Sequence, residues 1–191
     1  MLTVLVIDES RSRAGEICAG LALAGYQVAA ILADSENLTA EVGKLQPDVI
    51  LIDTDSPSRD TLENLAAMHK DMPRPVVIFT QEDGQATIRD AVKAGVSAYV
   101  VDGLDPRRIK PIVEVARARF EGTQALRREL HEISQKLSDR KLVDKAKGVL
   151  MKARGLDEDA AYHAMRKLAM ERSQSMARVA RDVIDMARVL L

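Results

Sequence analysis

Along the first hundred residues the apolar positions change period again and again. Five short runs, Leu2–Asp8, Gln27–Ala33, Asp48–Asp53, Pro75–Thr80 and Ala98–Val101, are β-branched and continuous rather than alternating. That pattern predicts strands covered on both faces of a parallel sheet. Helix-period stretches lie between them. One is predicted from a Ser10 cap to Ala24, with Gly25 closing it, and one from Ser35 to just before Pro47. A third runs from about Asp60 to Met72, and a fourth from about Gly84 to Ala94, closed by Gly95. Alternating strand and helix with right-handed crossovers predict an α/β doubly wound sheet of five parallel strands, with functional groups at the carboxyl ends.

A different pattern begins at Asp105-Pro106, where Pro suits the first turn of a helix. Apolar residues then recur at heptad spacing through Ile109, Ile112, Ala116, Leu126, Leu130, Ile133 and Leu137, with Arg128, Glu129, Glu132 and Lys136 beside them. This predicts a long coiled-coil helix over residues 106–138 and a homodimer built on its stripe. Residues 139–191 read as a small all-α three-helix bundle. Asp139–Arg154 ends at Gly155, Asp157 caps a second helix, and Ser175 caps a third. The inner faces are expected to be Leu142, Val143, Ala146, Val149, Leu150 and Ala153, then Ala160, Ala161, Ala164, Met165, Leu168 and Ala169, then Met176, Val179, Ala180, Val183, Ile184 and Ala187. Met151, Met165, Met170, Met176 and Met186 are expected to fill core gaps.

The charge sharpens this division. The whole chain of 191 residues has a net charge of −1. Residues 1–105 hold 17 Asp+Glu against 8 Lys+Arg, a net of −9, and residues 106–191 hold 12 against 20, a net of +8. The basic part is the candidate for a polyanion partner. The boundaries are therefore set at 1–105, 106–138 and 139–191. No apolar run reaches the roughly 18 residues of a membrane span, so no membrane partner is expected. The single Cys18 reads as a buried filler and points to a reducing, cytoplasmic setting.

Candidate chemistry follows from the strand ends. Strand one ends in Asp8-Glu9, strand three in Asp53 and strand four in Thr80. If strands one and three adjoin, three carboxylates converge and repel unless a cation neutralises them. Mg²⁺ held by Glu9 and Asp53 fits that need, and Asp53 is then a candidate nucleophile for an aspartyl phosphate.

This arrangement resembles a response-regulator receiver domain. Val4–Glu9 looks like its acidic strand end, Val49–Asp53 like its phosphoacceptor strand and Val76–Thr80 like the strand bearing its switch hydroxyl. Lys93-Ala94-Gly95 followed by Tyr99 looks like the approach to its aromatic switch position. The resemblance implies a flavodoxin-like receiver with an acidic pocket of Asp8, Glu9 and Asp53, and with Thr80 and Tyr99 as switch residues. Two departures stand out. The family places a Lys after the fifth strand, and Asp102 stands there; Glu9 replaces the commoner Asp. No ammonium is left to offset a phosphate, so phosphorylation is not expected to be the main input, and a protein partner is the natural substitute.

The tail carries two rows of bases on its first helix. Lys141, Lys145 and Lys152 form one, with Gly148 in the same row, and Arg140, Lys147 and Arg154 form the other. Gly148 costs the helix about 1 kcal/mol relative to Ala, which makes sense if something approaches the backbone closely. Arg166, Lys167 and Arg172 lie outside the second helix. The string Ala146-Lys147-Gly148-Val149-Leu150-Met151, with Gly155-Leu156-Asp157-Glu158-Asp159-Ala160-Ala161-Tyr162 and Met165-Arg166-Lys167-Leu168-Ala169, resembles the ANTAR family of RNA-binding transcription antiterminators. The full arrangement looks like antiterminators of the nitrate-responsive type or the amidase-regulator type. The Tyr99-Val100-Val101-Asp102-Gly103-Leu104 run is nearer the former. The resemblance implies a non-enzymatic regulator that binds a leader-RNA stem-loop, needs no cofactor, and is sequestered by a ligand-sensing regulatory protein in nitrate or nitrite assimilation. Arg140, Lys141, Lys145, Lys147, Gly148, Arg166, Lys167 and Arg172 are the expected RNA-binding positions. The alternative is a DNA-binding two-component regulator activated by phosphorylation at Asp53.

Overall fold

The computed structural model describes residues 1–9, 13–102 and 105–190, with side chains to residue 188. The chain divides into two units, Met1–Gln124 and Ala125–Leu191.

The first unit contains strands β1 (Thr3–Asp8), β2 (Gln27–Leu32), β3 (Val49–Asp53), β4 (Val76–Thr80) and β5 (Ala98–Val101). Helices α1 (Ala14–Leu23), α2 (Leu38–Leu45), α3 (Arg59–Asp71) and α4 (Gln85–Lys93) connect them, and α5 (Pro106–Arg154) follows β5. The strands form one sheet in the order β2-β1-β3-β4-β5, with every neighbouring pair parallel. The order reverses at β1, and there Asp8 pairs in register with Asp53. Both residues thus reach the carboxyl edge at the switch point, where a doubly wound sheet presents its functional groups.

The continuous apolar runs are explained by burial on both faces. Leu5, Ile7, Ile50, Ile52 and Ile78 pack with Leu38, Val42, Leu65 and Met68 on one side. Val4, Val6, Val49, Leu51, Val77 and Phe79 pack with Ile17 and Leu21 on the other. The second face also receives Ile109, Val113 and Ala116 of α5. Gly20 permits that approach, because a Cβ there would sit 2.8 Å from Ile109 Cδ1. The start of α5 is therefore the last helix of the first unit, and the expected coiled coil does not begin at residue 106. The heptad pattern could not separate a helix packed on its own sheet from one awaiting a partner.

Other expectations shift in smaller ways. The α2 helix starts at Leu38 after an Asn37 cap instead of at Ser35. Ser35 is buried, and its Oγ accepts from Asn64 Nδ2 at 3.3 Å. For α3 the cap is Ser58, whose Oγ accepts from the Thr61 N–H at 3.0 Å. Ser10 lies outside the described residues, and α1 begins after Arg13. Gly25 and Gly95 close their helices at φ +85° and +96°, a region that glycine enters without a Cβ clash. Cys18 is half-buried, not a core filler.

In the second unit, the end of α5 packs with α6 (Glu158–Glu171) and α7 (Met176–Leu190). Asp157 Oδ1 accepts from the Ala160 N–H at 2.7 Å, and Ser175 Oγ from the Arg178 N–H at 3.2 Å, so both expected caps form. The core is Ala146, Met165, Ala169, Val179, Ala180 and Ile184. The stripe on α6 is narrower than expected, with Ala161, Met165 and Ala169 inward and Ala160 and Ala164 exposed. Ala153 is exposed too. Of the five methionines only Met165 is fully buried, whereas Met151, Met170 and Met186 are 38%, 73% and 59% exposed. No break separates residues 138 and 139. Neither Gly nor Pro stands there, and Gln135 Nε2 donates to Asp139 Oδ1 at 3.1 Å across the join. Leu126, Leu130, Ile133 and Leu137 remain 67%, 67%, 56% and 54% exposed on α5.

Candidate functional site

At the carboxyl edge of the sheet, Asp8 and Asp53 are 1% and 0% exposed. A cation beside Asp53 comes from an unexpected element. Arg13, at the start of α1, places Nε 3.0 Å from Asp53 Oδ2 and Nη2 3.7 Å from Asp55 Oδ1. Burial pushes the Asp53 carboxyl above its usual range; Arg13 opposes that shift, and the neighbouring Asp8 and Asp55 charges add to it. The signal was present in the sequence as Arg13, five residues beyond Asp8. A basic residue at a helix start, against the dipole, is out of place unless an acid holds it.

Glu9 does not complete a third carboxylate of this pocket. Its Oε2 accepts from the Thr54 hydroxyl at 2.7 Å and its Oε1 from the Thr61 hydroxyl at 2.8 Å. Among the described residues no group of three or more His, Cys, Asp or Glu side chains is placed to hold a metal ion. Mg²⁺ demands near-octahedral oxygen ligands at about 2.0–2.1 Å. Here one candidate ligand faces a guanidinium and the other is engaged at both oxygens, so the present arrangement does not fit the expected ion.

The two residues expected to act as a switch are brought together. Thr80 is fully buried and donates to the Asp55 carbonyl at 2.8 Å, while the Glu82 N–H donates to Thr80 Oγ1 at 3.1 Å. The Tyr99 hydroxyl donates to the Glu82 carbonyl at 3.0 Å, and burial raises its pKa. Asp102 is exposed at the end of β5 with φ +72°, a left-handed conformation that Asp tolerates better than most residues.

On the second unit, Arg140, Lys141, Lys145 and Lys152 of α5 are exposed, and so are Arg166, Lys167 and Arg172 of α6. The spacing of Lys141, Lys145, Gly148 and Lys152 keeps them on one row. Gly148 has nothing within 4 Å of where its Cβ would stand, so no packing neighbour explains it and the backbone is open there. Lys147 departs from the expectation. Its side chain is only 15% exposed, with Nζ 2.8 Å from Asp144 Oδ1 and 2.6 Å from Glu158 Oε1. Hydrogen bonds from these two carboxylates, Asp144 first, raise its pKa. Its ammonium is thus paired with the unit's own carboxylates. Beside the basic surface, Tyr162 is 40% exposed, with its ring centroid 6.1 Å from that of His163.

Comparison with known proteins agrees with this division. The response regulator receiver domain family matches residues 4–114, more than half of the chain, and the ANTAR domain family matches residues 131–184. The chain belongs to the response-regulator receiver family and joins its receiver to an ANTAR domain. It is 29% identical over 161 residues to the transcriptional regulatory protein PdtaR of Mycobacterium tuberculosis, covering 84% of this chain and 78% of that protein. It is 35% identical over 83 residues to the nitrate regulatory protein of Klebsiella oxytoca, covering 44% of this chain and 21% of that protein. The receiver domain of a modulated diguanylate cyclase from Desulfovibrio desulfuricans shares the fold with a TM-score of 0.56 at 20% identity, over 63% of this chain and 97% of that one. Among the described residues no helix is long and apolar enough to cross a membrane.

Proposed function

We propose that this chain is a transcription antitermination regulator whose ANTAR unit binds a leader-RNA stem-loop and prevents a terminator from forming. The observation that carries the reading is the open basic row of α5, where Lys141, Lys145 and Lys152 flank a glycine with nothing over it. A phosphate backbone can approach such a row closely, and Lys and Arg supply the affinity through counterion release. Arg140, Arg166, Lys167 and Arg172 extend the positive surface. Tyr162, His163 and arginine planes offer stacking for loop bases. The binding requires no cofactor.

The exposed stripe Leu126, Leu130, Ile133 and Leu137 is read as the seam of a homodimer. Input comes from a ligand-sensing protein that docks on the receiver, in nitrate or nitrite assimilation, rather than from phosphate on Asp53. The likeness to a nitrate regulatory protein supports the setting. The Arg13 contact and the acidic Asp102 support the phosphate-independent input. The regulator is proposed to work in the cytoplasm.

Single-round transcription through a leader terminator tests the function. Adding the full chain is expected to raise readthrough, and the Lys145→Ala/Lys152→Ala variant to lose that effect. Readthrough that is unchanged by the wild-type chain on leaders whose hairpins it binds overturns the proposal.

A further inference from the structure

The receiver pocket has a charge problem that the fold solves by itself. Asp8 and Asp53 are register partners on adjoining strands and almost wholly buried. Negative charges held this close in a buried pocket repel, and a cation beside them relieves that repulsion. We infer that Arg13 is the resident cation of this pocket and occupies it in place of a divalent metal ion, so that the receiver holds its switch groups in position without Mg²⁺.

Three observations carry the inference. The Arg13 guanidinium reaches Asp53 at 3.0 Å and Asp55 at 3.7 Å, spanning the end of β3 and the loop after it. Glu9, the other acid at the end of β1, has each oxygen engaged by a threonine hydroxyl, at 2.7 Å and 2.8 Å. The switch hydroxyl of Thr80 already donates to the main-chain carbonyl of Asp55, the residue whose exposed carboxylate lies 3.7 Å from Arg13. A guanidinium stays charged at any physiological pH and needs no dehydration of an ion from bulk water. Because it is tethered to α1, it also competes at a high effective concentration with any metal in solution.

Differential scanning calorimetry of the full chain tests this, comparing magnesium chloride with sodium chloride of equal ionic strength. The wild-type receiver transition is expected to be the same in both salts. Arg13→Ala is expected to unfold at lower temperature in sodium chloride and to be raised selectively by Mg²⁺. A second variant covers the case in which Arg13→Ala does not fold. Arg13→Ala/Asp53→Asn lacks the unpaired charge and is expected to recover the transition and to ignore Mg²⁺. A saturable Mg²⁺ stabilisation of the wild type overturns the inference. So does an Arg13→Ala transition equal to the wild type, or a double variant no more stable than the single one.

Discussion

Lys147 Nζ on α5 donates to Glu158 Oε1 in the first turn of α6 at 2.6 Å. The same ammonium holds Asp144 one turn earlier on α5. The lysine at the centre of the ANTAR string therefore fastens two helices of the unit together, with its ammonium paired to the chain's own acids.

Lys147→Ala is accordingly expected to lower the unfolding midpoint of the tail unit, and to weaken hairpin binding only as far as it unfolds the unit. Lys152→Ala, on an exposed side chain, is expected to weaken binding several-fold with the midpoint unchanged. Thermal melts paired with hairpin titrations check both. A Lys147→Ala protein with wild-type stability and lost affinity shows that the lysine contacts RNA directly.

Gly148 separates folding from binding in the opposite sense. Open space surrounds its missing Cβ, so Gly148→Ala is expected to stabilise the helix by up to about 1 kcal/mol. If a phosphate backbone lies against this position, the same methyl reduces hairpin affinity. A variant both more stable and weaker in binding is the expected result, and unchanged affinity moves the RNA to another face.

The two halves of α5 are expected to respond differently to truncation. Ile109 is fully buried on the sheet, so Ile109→Ala is expected to destabilise the receiver by about 2–5 kcal/mol and leave self-association unaltered. Leu130, 67% exposed, is expected to do the reverse, with Leu130→Ala sparing the receiver transition and lowering the mass seen in sedimentation equilibrium. A Leu130→Ala protein that associates like the wild type removes the proposed seam.

The raised pKa of Asp53 sets a pH dependence. Its folded value lies above its unfolded one, so the folded state resists ionisation more than the unfolded chain does. Stability from this group is therefore full below the ordinary carboxylate range, near about pH 4, and declines as pH rises through the folded value. Asp53→Asn is expected to be more stable than the wild type at neutral pH, and the gap is expected to close on acidification. Urea titrations at several pH values read this directly. A wild type that is the more stable at neutral pH contradicts it.

Periodicity made the sheet legible because burial on both faces leaves continuous apolar runs, and each of the five expected strands forms within two residues of its expected ends. The glycine stops were legible for a similar reason: Gly25, Gly95 and Gly155 all sit at positive φ. What the pattern did not carry was side-chain destination. An apolar stripe states that a face is covered, not by what, so Ile109 and Leu130 looked alike in one heptad run. Charge has the same ambiguity. Lys147 and Lys152 are both bases of one helix, yet among the described residues only the first has acids placed to claim it. The Arg13–Asp53 pair was legible only from Arg13, a base at a helix start; its acid partner lies forty residues on, on another element. The acidic string Asp8-Glu9 suggested a metal only while the partners of Glu9 were unknown.

The most direct test is a titration of the full chain against fluorescent leader stem-loops and against duplex DNA of matched length, repeated across salt. If Arg140, Lys141, Lys145 and Lys152 each neutralise one phosphate, as proposed, the slope of log K on log[salt] is expected to be about −3 to −4. Selective hairpin binding with such a slope, lost in the Lys145→Ala/Lys152→Ala variant, is the predicted result. Preference for duplex DNA, or hairpin binding that ignores both salt and those lysines, contradicts the account.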